Sequence, residues 1–130
     1  MGHVIVEAEL AWKRKERVRM LVDTGATHTV LPLDLARRLG IGPSPRRVRV
    51  TLADGRTKSM SLGTVIVRLA GREAGDTVLV GPRGAEPLLG VEALEALGLS
   101  VDPRSGKVRK TRAHGAILVS ARAGGRRTSA

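Results

Sequence analysis

Met20-Leu21-Val22-Asp23-Thr24-Gly25-Ala26-Thr27-His28-Thr29-Val30-Leu31-Pro32 is the stretch that decides how this chain is read. Met20-Leu21-Val22 is an apolar run suited to a strand, and it delivers the Asp23 carboxylate at its end. A hydroxyl, a glycine and a methyl follow, an order that suits a carboxylate seated in a tight turn. Gly25 lets neighbouring backbone amides approach Asp23, and the Thr24 hydroxyl is available to fix the loop. Asp-Thr-Gly alone is a weak tripeptide that occurs in ordinary turns. An apolar strand before it and Thr29-Val30-Leu31-Pro32 after it make it considerably more specific.

Upstream, Val4, Val6, Ala8 and Leu10 alternate with Ile5, Glu7 and Glu9, which predicts a strand. Lys13-Arg14-Lys15-Glu16 reads as an exposed hairpin turn, with return through Val18, Met20 and Val22. Downstream, Pro32 to Gly40 predicts a short helix, with Leu35 and Leu39 on one face and Gly40 as its stop. Gly42 to Pro45 is a connecting loop. Val48, Val50 and Leu52 alternate with polar residues up to Ala53-Asp54-Gly55-Arg56, whose Asp-Gly pair signals a hairpin turn. The chain returns through Ser59 to Leu62, and Gly63 reads as a bulge or bend before Thr64 to Leu69. Ala70 to Asp76 reads as a turn, Thr77 to Val80 as a strand and Gly81 to Pro87 as a loop. Leu88-Leu89-Gly90 is a brief apolar run. Val91 to Leu97 predicts a helix with Val91, Leu94 and Leu97 buried and Gly98 as cap. Leu99 to Asp102 and Lys107 to Arg109 read as strands of a last hairpin. Many short strands with one or two short helices describe a mostly β, closed domain of the barrel type.

The 130 residues support one domain, taken as 1–110, followed by a basic tail, 111–130. A hydrophobic fraction of 42% argues for a folded body. Trp12 is the only aromatic residue, so the core must be built from Val, Leu, Ile and Ala. The net charge of +11 is unevenly spread. Through Asp102 there are 15 Lys and Arg against 12 Asp and Glu, and from Pro103 onward 8 against none. Such a tail reads as a solvated, disordered end, able to attract nucleic acid nonspecifically through its charge. With no cysteine, neither a disulfide framework nor a thiolate metal site is possible. Glu7 interrupts the N-terminal apolar run too early for a signal peptide, and no stretch approaches the roughly 18 apolar residues of a spanning helix. The expectation is a soluble, cytoplasmic protein without a membrane partner.

Asp23-Thr24-Gly25-Ala26 resembles the active-site motif of retropepsin-like aspartic peptidases, the single-domain group that includes retroviral proteases and bacterial and archaeal relatives. Leu88-Leu89-Gly90 with the helix Val91 to Leu97 resembles the hydrophobic-hydrophobic-Gly motif before the single helix near the end of those domains. Leu52 to Gly63 sits where the family places its flap hairpin. These three elements cover residues 4 to 109, in the family's order.

The resemblance implies an aspartic endopeptidase. In the family two carboxylates share one proton, since like charges so close cannot both ionise, and aspartic proteases are the usual example of this effect. One carboxylate acts as general base on water while the other polarises the scissile carbonyl. Of Asp23, Asp34, Asp54, Asp76 and Asp102, only Asp23 stands in the motif, so a homodimer must supply the second carboxylate. The implied catalytic residues are Asp23, Thr24 and Gly25, with Thr24 bonding across to the opposite loop. The implied substrate-binding residues are Ala26, Thr27, His28 and, on the flap, Ala53, Asp54, Gly55 and Arg56. Thr27 and His28 stand where retroviral enzymes carry an acidic residue, and the flap tip is charged rather than glycine-rich; both bear on substrate preference. Two other classes fit less well: a catalytically silent dimerising or peptide-binding module of the same fold, and a small basic nucleic-acid-binding protein. The second rests on the tail alone and lacks aromatic stacking residues. His3, His28 and His114 are too scattered for a metal site, and no cofactor is implied. Gly81-Pro82-Arg83-Gly84 lacks the Lys-Ser/Thr of a phosphate loop, and Ser120 and Ser129 lack the context of a nucleophile.

Overall fold

A computed structural model of the chain describes residues 4–42, 44–52 and 54–111. Residues 112–130 of the basic tail, with the apolar run Ala116 to Val119, and Ala53 lie outside the described residues.

The first hairpin joins β1 (Val4–Ala11) to β2 (Lys15–Val22), in antiparallel register from Val4 opposite Val22 to Ala11 opposite Lys15. Period two puts Val4, Val6, Ala8 and Leu10 of β1 and Val18, Met20 and Val22 of β2 inside. The turn is tighter than the charge run suggested: Trp12 N–H donates to the Arg14 carbonyl at 2.9 Å, and Lys15 and Glu16 already belong to β2. Trp12 stands at this end of the hairpin, half exposed.

After β3 (Thr29–Pro32) the chain enters α1 (Leu33–Leu39), which buries Leu35, Ala36 and Leu39 and closes at Gly40. A long hairpin follows, made of β4 (Arg47–Thr51) and β5 (Thr57–Leu69). Gly63 does not break it. β5 runs straight through that position, where Gly63 pairs with Val78. Its bare α-carbon serves packing instead, since a β-carbon there would come within 2.8 Å of Ile41 Cγ2.

The expected Ala70 to Asp76 turn shrinks to Ala70 and Gly71, both with positive φ, and β6 (Arg72–Gly81) begins at once. Glu73 to Asp76 therefore lie inside a strand, and Asp76 sits on its inward face. β7 (Leu88–Leu89), α2 (Val91–Leu97), β8 (Leu99–Asp102) and β9 (Lys107–Lys110) complete the chain. On α2 the buried set is Ala93, Leu94 and Leu97, with Val91 only partly covered.

Seven strands form one sheet in the order β1-β2-β7-β3-β6-β5-β4, and Glu9–Ala11 of β1 also pairs with Ile66–Arg68 of β5, which closes the sheet on itself. β8 and β9 form a separate antiparallel pair. The enclosed core is aliphatic, with Leu10, Met20, Leu31, Leu35, Leu39, Leu89 and Leu97 essentially out of water. Each such side chain contributes about 1.5–3 kcal/mol of burial. Among the described residues no helix is long and apolar enough to cross a membrane.

Candidate active site

Three short segments build the site. β7 lies parallel to β2 through Leu21–Leu88 and Val22–Leu89, and antiparallel to β3 at Val30–Leu88. It thus fills the gap between two strands that the chain leaves unpaired, and the loop 23–28 passes over its end. Asp23 N–H donates to the Leu89 carbonyl at 3.0 Å, so the last bond of β2 also fixes the carboxylate-bearing residue. The loop then turns on Ala26 N–H to the Asp23 carbonyl (3.0 Å), and Gly25 N–H donates to Asp23 Oδ1 at 3.0 Å.

The start of α2 grips the far side of this loop. Val91 N–H donates to the Ala26 carbonyl at 2.8 Å and Glu92 N–H to the Thr27 carbonyl at 3.1 Å. Gly90 N–H donates to Thr29 Oγ1 at 3.1 Å. These amides begin a helix and have no partner within it, so two loop carbonyls and the Thr29 hydroxyl satisfy them. Gly90 is fixed by contact: a β-carbon would sit 2.5 Å from the His28 carbonyl carbon. The hydrophobic-hydrophobic-Gly pattern thus has a physical meaning. Leu89 fills the core, and Gly90 lets the loop lie directly on the backbone.

Asp23 opens into a groove of about 780 Å³ lined by the Asp23 loop, by Val30, Leu79 and Leu88 from the body, and by Val48 to Leu52 and Met60 from the β4–β5 hairpin. Asp23 is half-buried, and Thr24 and Gly25 are exposed at the tip of the loop. The Thr24 hydroxyl meets no hydrogen-bond partner among the described residues. Gly25, Ala26, Thr27 and His28 line the groove. His28 Nδ1 comes within 3.3 Å of Glu92 Oε1, off the alignment of a hydrogen bond.

The flap end is placed differently. Gly55, with φ of 87°, donates to the Leu52 carbonyl at 2.9 Å, and Leu52 N–H donates to Arg56 at 2.7 Å, which closes the hairpin. Asp54 and Arg56 pair with each other at 2.7 Å, and neither these two nor Gly55 line the groove. Val48, Arg49, Val50 and Leu52 line it instead, and the sequence reading did not single them out as site residues. Their signal was the alternation along β4, which sets Val48 and Val50 on one face.

The remaining aspartates stand apart from the groove. Asp34 accepts from Gly84 N–H at 3.3 Å, a bond that holds its carboxyl below the ordinary range. Asp102, on β8, is held low by the Arg104 amide. Asp76 is buried beneath the loop, and burial pushes its carboxyl up. Among the described residues no three His, Asp or Glu side chains converge as metal ligands.

The model of a family described as "gag-polyprotein putative aspartyl protease" matches residues 12–96. The chain belongs to this family. The aspartyl protease match spans β2 with its Asp-Thr-Gly loop, the flap hairpin and almost all of α2. No curated protein sequence matches. Among solved structures, the EIAV protease complexed with the inhibitor HBY-793 is similar in fold: TM-score 0.62 at 21% identity, over 78% of this chain and 93% of that one. The retropepsin-like reading of the sequence and its mostly β architecture therefore stand.

Proposed function

We propose that this protein is an aspartic endopeptidase that works as a two-fold dimer, each subunit contributing one Asp23. The observation that carries the reading is the position of Asp23. Its carboxyl stands at the floor of an open, largely apolar groove, with one oxygen held by the Gly25 amide. Among the described residues no other aspartate or glutamate lines that groove. An aspartic mechanism needs two carboxylates, so the second comes from a partner copy. The exposed Thr24 hydroxyl supports this, because at the loop tip it is free to bond across a two-fold axis.

In the assembled site the two Asp23 carboxyls share one proton and titrate as a pair. The ionised member takes a proton from water, and the water oxygen attacks the scissile carbonyl carbon. The protonated member meanwhile hydrogen-bonds the carbonyl oxygen, which takes up the displaced electron pair. The tetrahedral intermediate collapses as the carboxyl that took the proton from water passes it to the amide nitrogen, the C=O bond re-forms and the C–N bond breaks. The substrate lies extended along β4, which ends the sheet and offers an unpaired backbone edge. Val48 and Val50 form the apolar wall against its side chains.

Asp23→Asn tests the proposal. The variant is expected to fold as the wild type does and to lose hydrolysis of an apolar peptide library by at least about a thousandfold. Undiminished cleavage by Asp23→Asn would refute the assignment.

A further inference from the structure

Beneath the Asp23 loop, β6 buries a carboxylic acid that the proposed chemistry does not use. Asp76 is only 6% exposed. It faces inward between Ala74 and Val78, opposite the apolar Val65 of β5. Thr29 of β3 pairs with Val78, two residues along β6 from Asp76, and its hydroxyl is among the groups that act on the Asp76 carboxyl, whose Oδ2 is buried without a hydrogen-bond partner.

Thr29 is itself fully buried, and its Oγ1 already accepts the Gly90 N–H at 3.1 Å. A hydroxyl that accepts from one side still has its single proton to give, and Asp76 is the acid placed to receive it. A continuous path results. Asp76 lies next to Thr29 in the core, and Thr29 holds Gly90. Gly90 leads directly into Val91 and Glu92, whose amides clamp the Ala26 and Thr27 carbonyls of the Asp23 loop. Gly90 has no slack, because it lies against the His28 carbonyl.

Two charged groups act on Asp76: Glu92 from α2, which opposes its ionisation, and His28 from the loop, which favours it. Both belong to segments that the path connects. We infer that Asp76 is a positioning residue for Asp23, acting through Thr29 and Gly90, and that gain or loss of its proton shifts the seat of the Asp23 loop. The consequence for catalysis rests on the peptidase reading, whereas the structural coupling does not.

The test follows the backbone amides of Gly90 and Val91 by NMR across pH 3.5 to 8, in full-length protein carrying Asp23→Asn so that the site carboxyl is silent. Both amides are expected to show a common inflection above the ordinary aspartate range of about 3.9, and Asp76→Asn is expected to abolish it. Amides that do not titrate, or an inflection that survives Asp76→Asn, would overturn the inference whether or not any peptide is cleaved. In the active protein, Asp76→Leu removes the acceptor for Thr29 and is expected to lower kcat about tenfold with KM within about twofold. Asp76→Asn keeps an acceptor oxygen and is expected to hold kcat within about threefold. A folded Asp76→Leu with wild-type kcat overturns the positioning role. If the amides couple to Asp76 and the wild type cleaves nothing, the peptidase reading fails and the coupling stands.

Discussion

At the scale of single residues, the site depends on positions that carry no reactive group. Gly90 is the clearest case, since any β-carbon must displace the backbone of Thr27 and His28 rather than a flexible side-chain end. Gly90→Ala is expected to cost more than about 3 kcal/mol in urea unfolding, a size reserved for strain of this kind. Asp76 carries the opposite penalty. Burial, its largest influence, makes the folded chain hold this proton to higher pH than the unfolded chain does. Its contribution to stability is therefore greatest below the ordinary aspartate pKa and is lost as pH rises through the raised value. Asp76→Asn removes that decline. Relative to wild type, the variant is expected to gain about 1 kcal/mol at pH 7 and nothing at pH 3.5, read as the difference between paired melting curves. A gain that is constant across pH would show that the acid does not titrate in this window.

At the scale of elements, the sequence was most legible where one period dominates. β1, β2, both helices and the flap hairpin follow from alternation, helical spacing and glycine stops. It failed where glycine and charge imitate a turn. Ala70-Gly71-Arg72-Glu73-Ala74-Gly75-Asp76 has a loop's composition, yet only two residues turn, because Gly71 takes the left-handed conformation and β5 offers a pairing edge to all that follows. Ala74, Asp76, Val78 and Val80 already showed period two, and placing them in one strand would have revealed the buried acid. The hairpin at the flap position was legible, and the groove is lined by its stem rather than by the tip residues Asp54, Gly55 and Arg56. Tip residues project into solvent, whereas Val48 and Val50 share the face that covers the groove. Each valine is half-exposed, so replacing either is expected to affect the ligand more than the fold. Val48→Ser or Val50→Ser should raise KM for an apolar peptide about fivefold, corresponding to about 1 kcal/mol of lost apolar contact, with the melting temperature within about 2 °C. A fall in kcat at constant KM would instead place these residues in the chemistry.

At the scale of the whole molecule, one chain encloses a complete core, whereas the peptidase we propose needs two carboxylates and the described residues of the groove supply one. The core needs no second copy, because the sheet closes through β1 and β5 and the aliphatic side chains are covered within the subunit. The proposed chemistry does need one, since Asp23 is the only acid among the described residues of the groove. Folding and activity should therefore separate with concentration. Dilution is expected to abolish hydrolysis while circular dichroism stays unchanged, and the specific rate should rise with protein concentration until the dimer saturates. Mixing sharpens the point. If Asp23→Asn exchanges freely with wild type at equal amounts and constant total protein, only about a quarter of the dimers carry two native carboxyls. Because members of a catalytic pair act as a unit, mixed dimers are expected to be nearly inactive, and activity should fall to about a quarter rather than a half. A linear fall to one half would mean that each chain works alone. In that case the second proton carrier would have to be found within one subunit, and the described residues of the groove offer only His28 for that role.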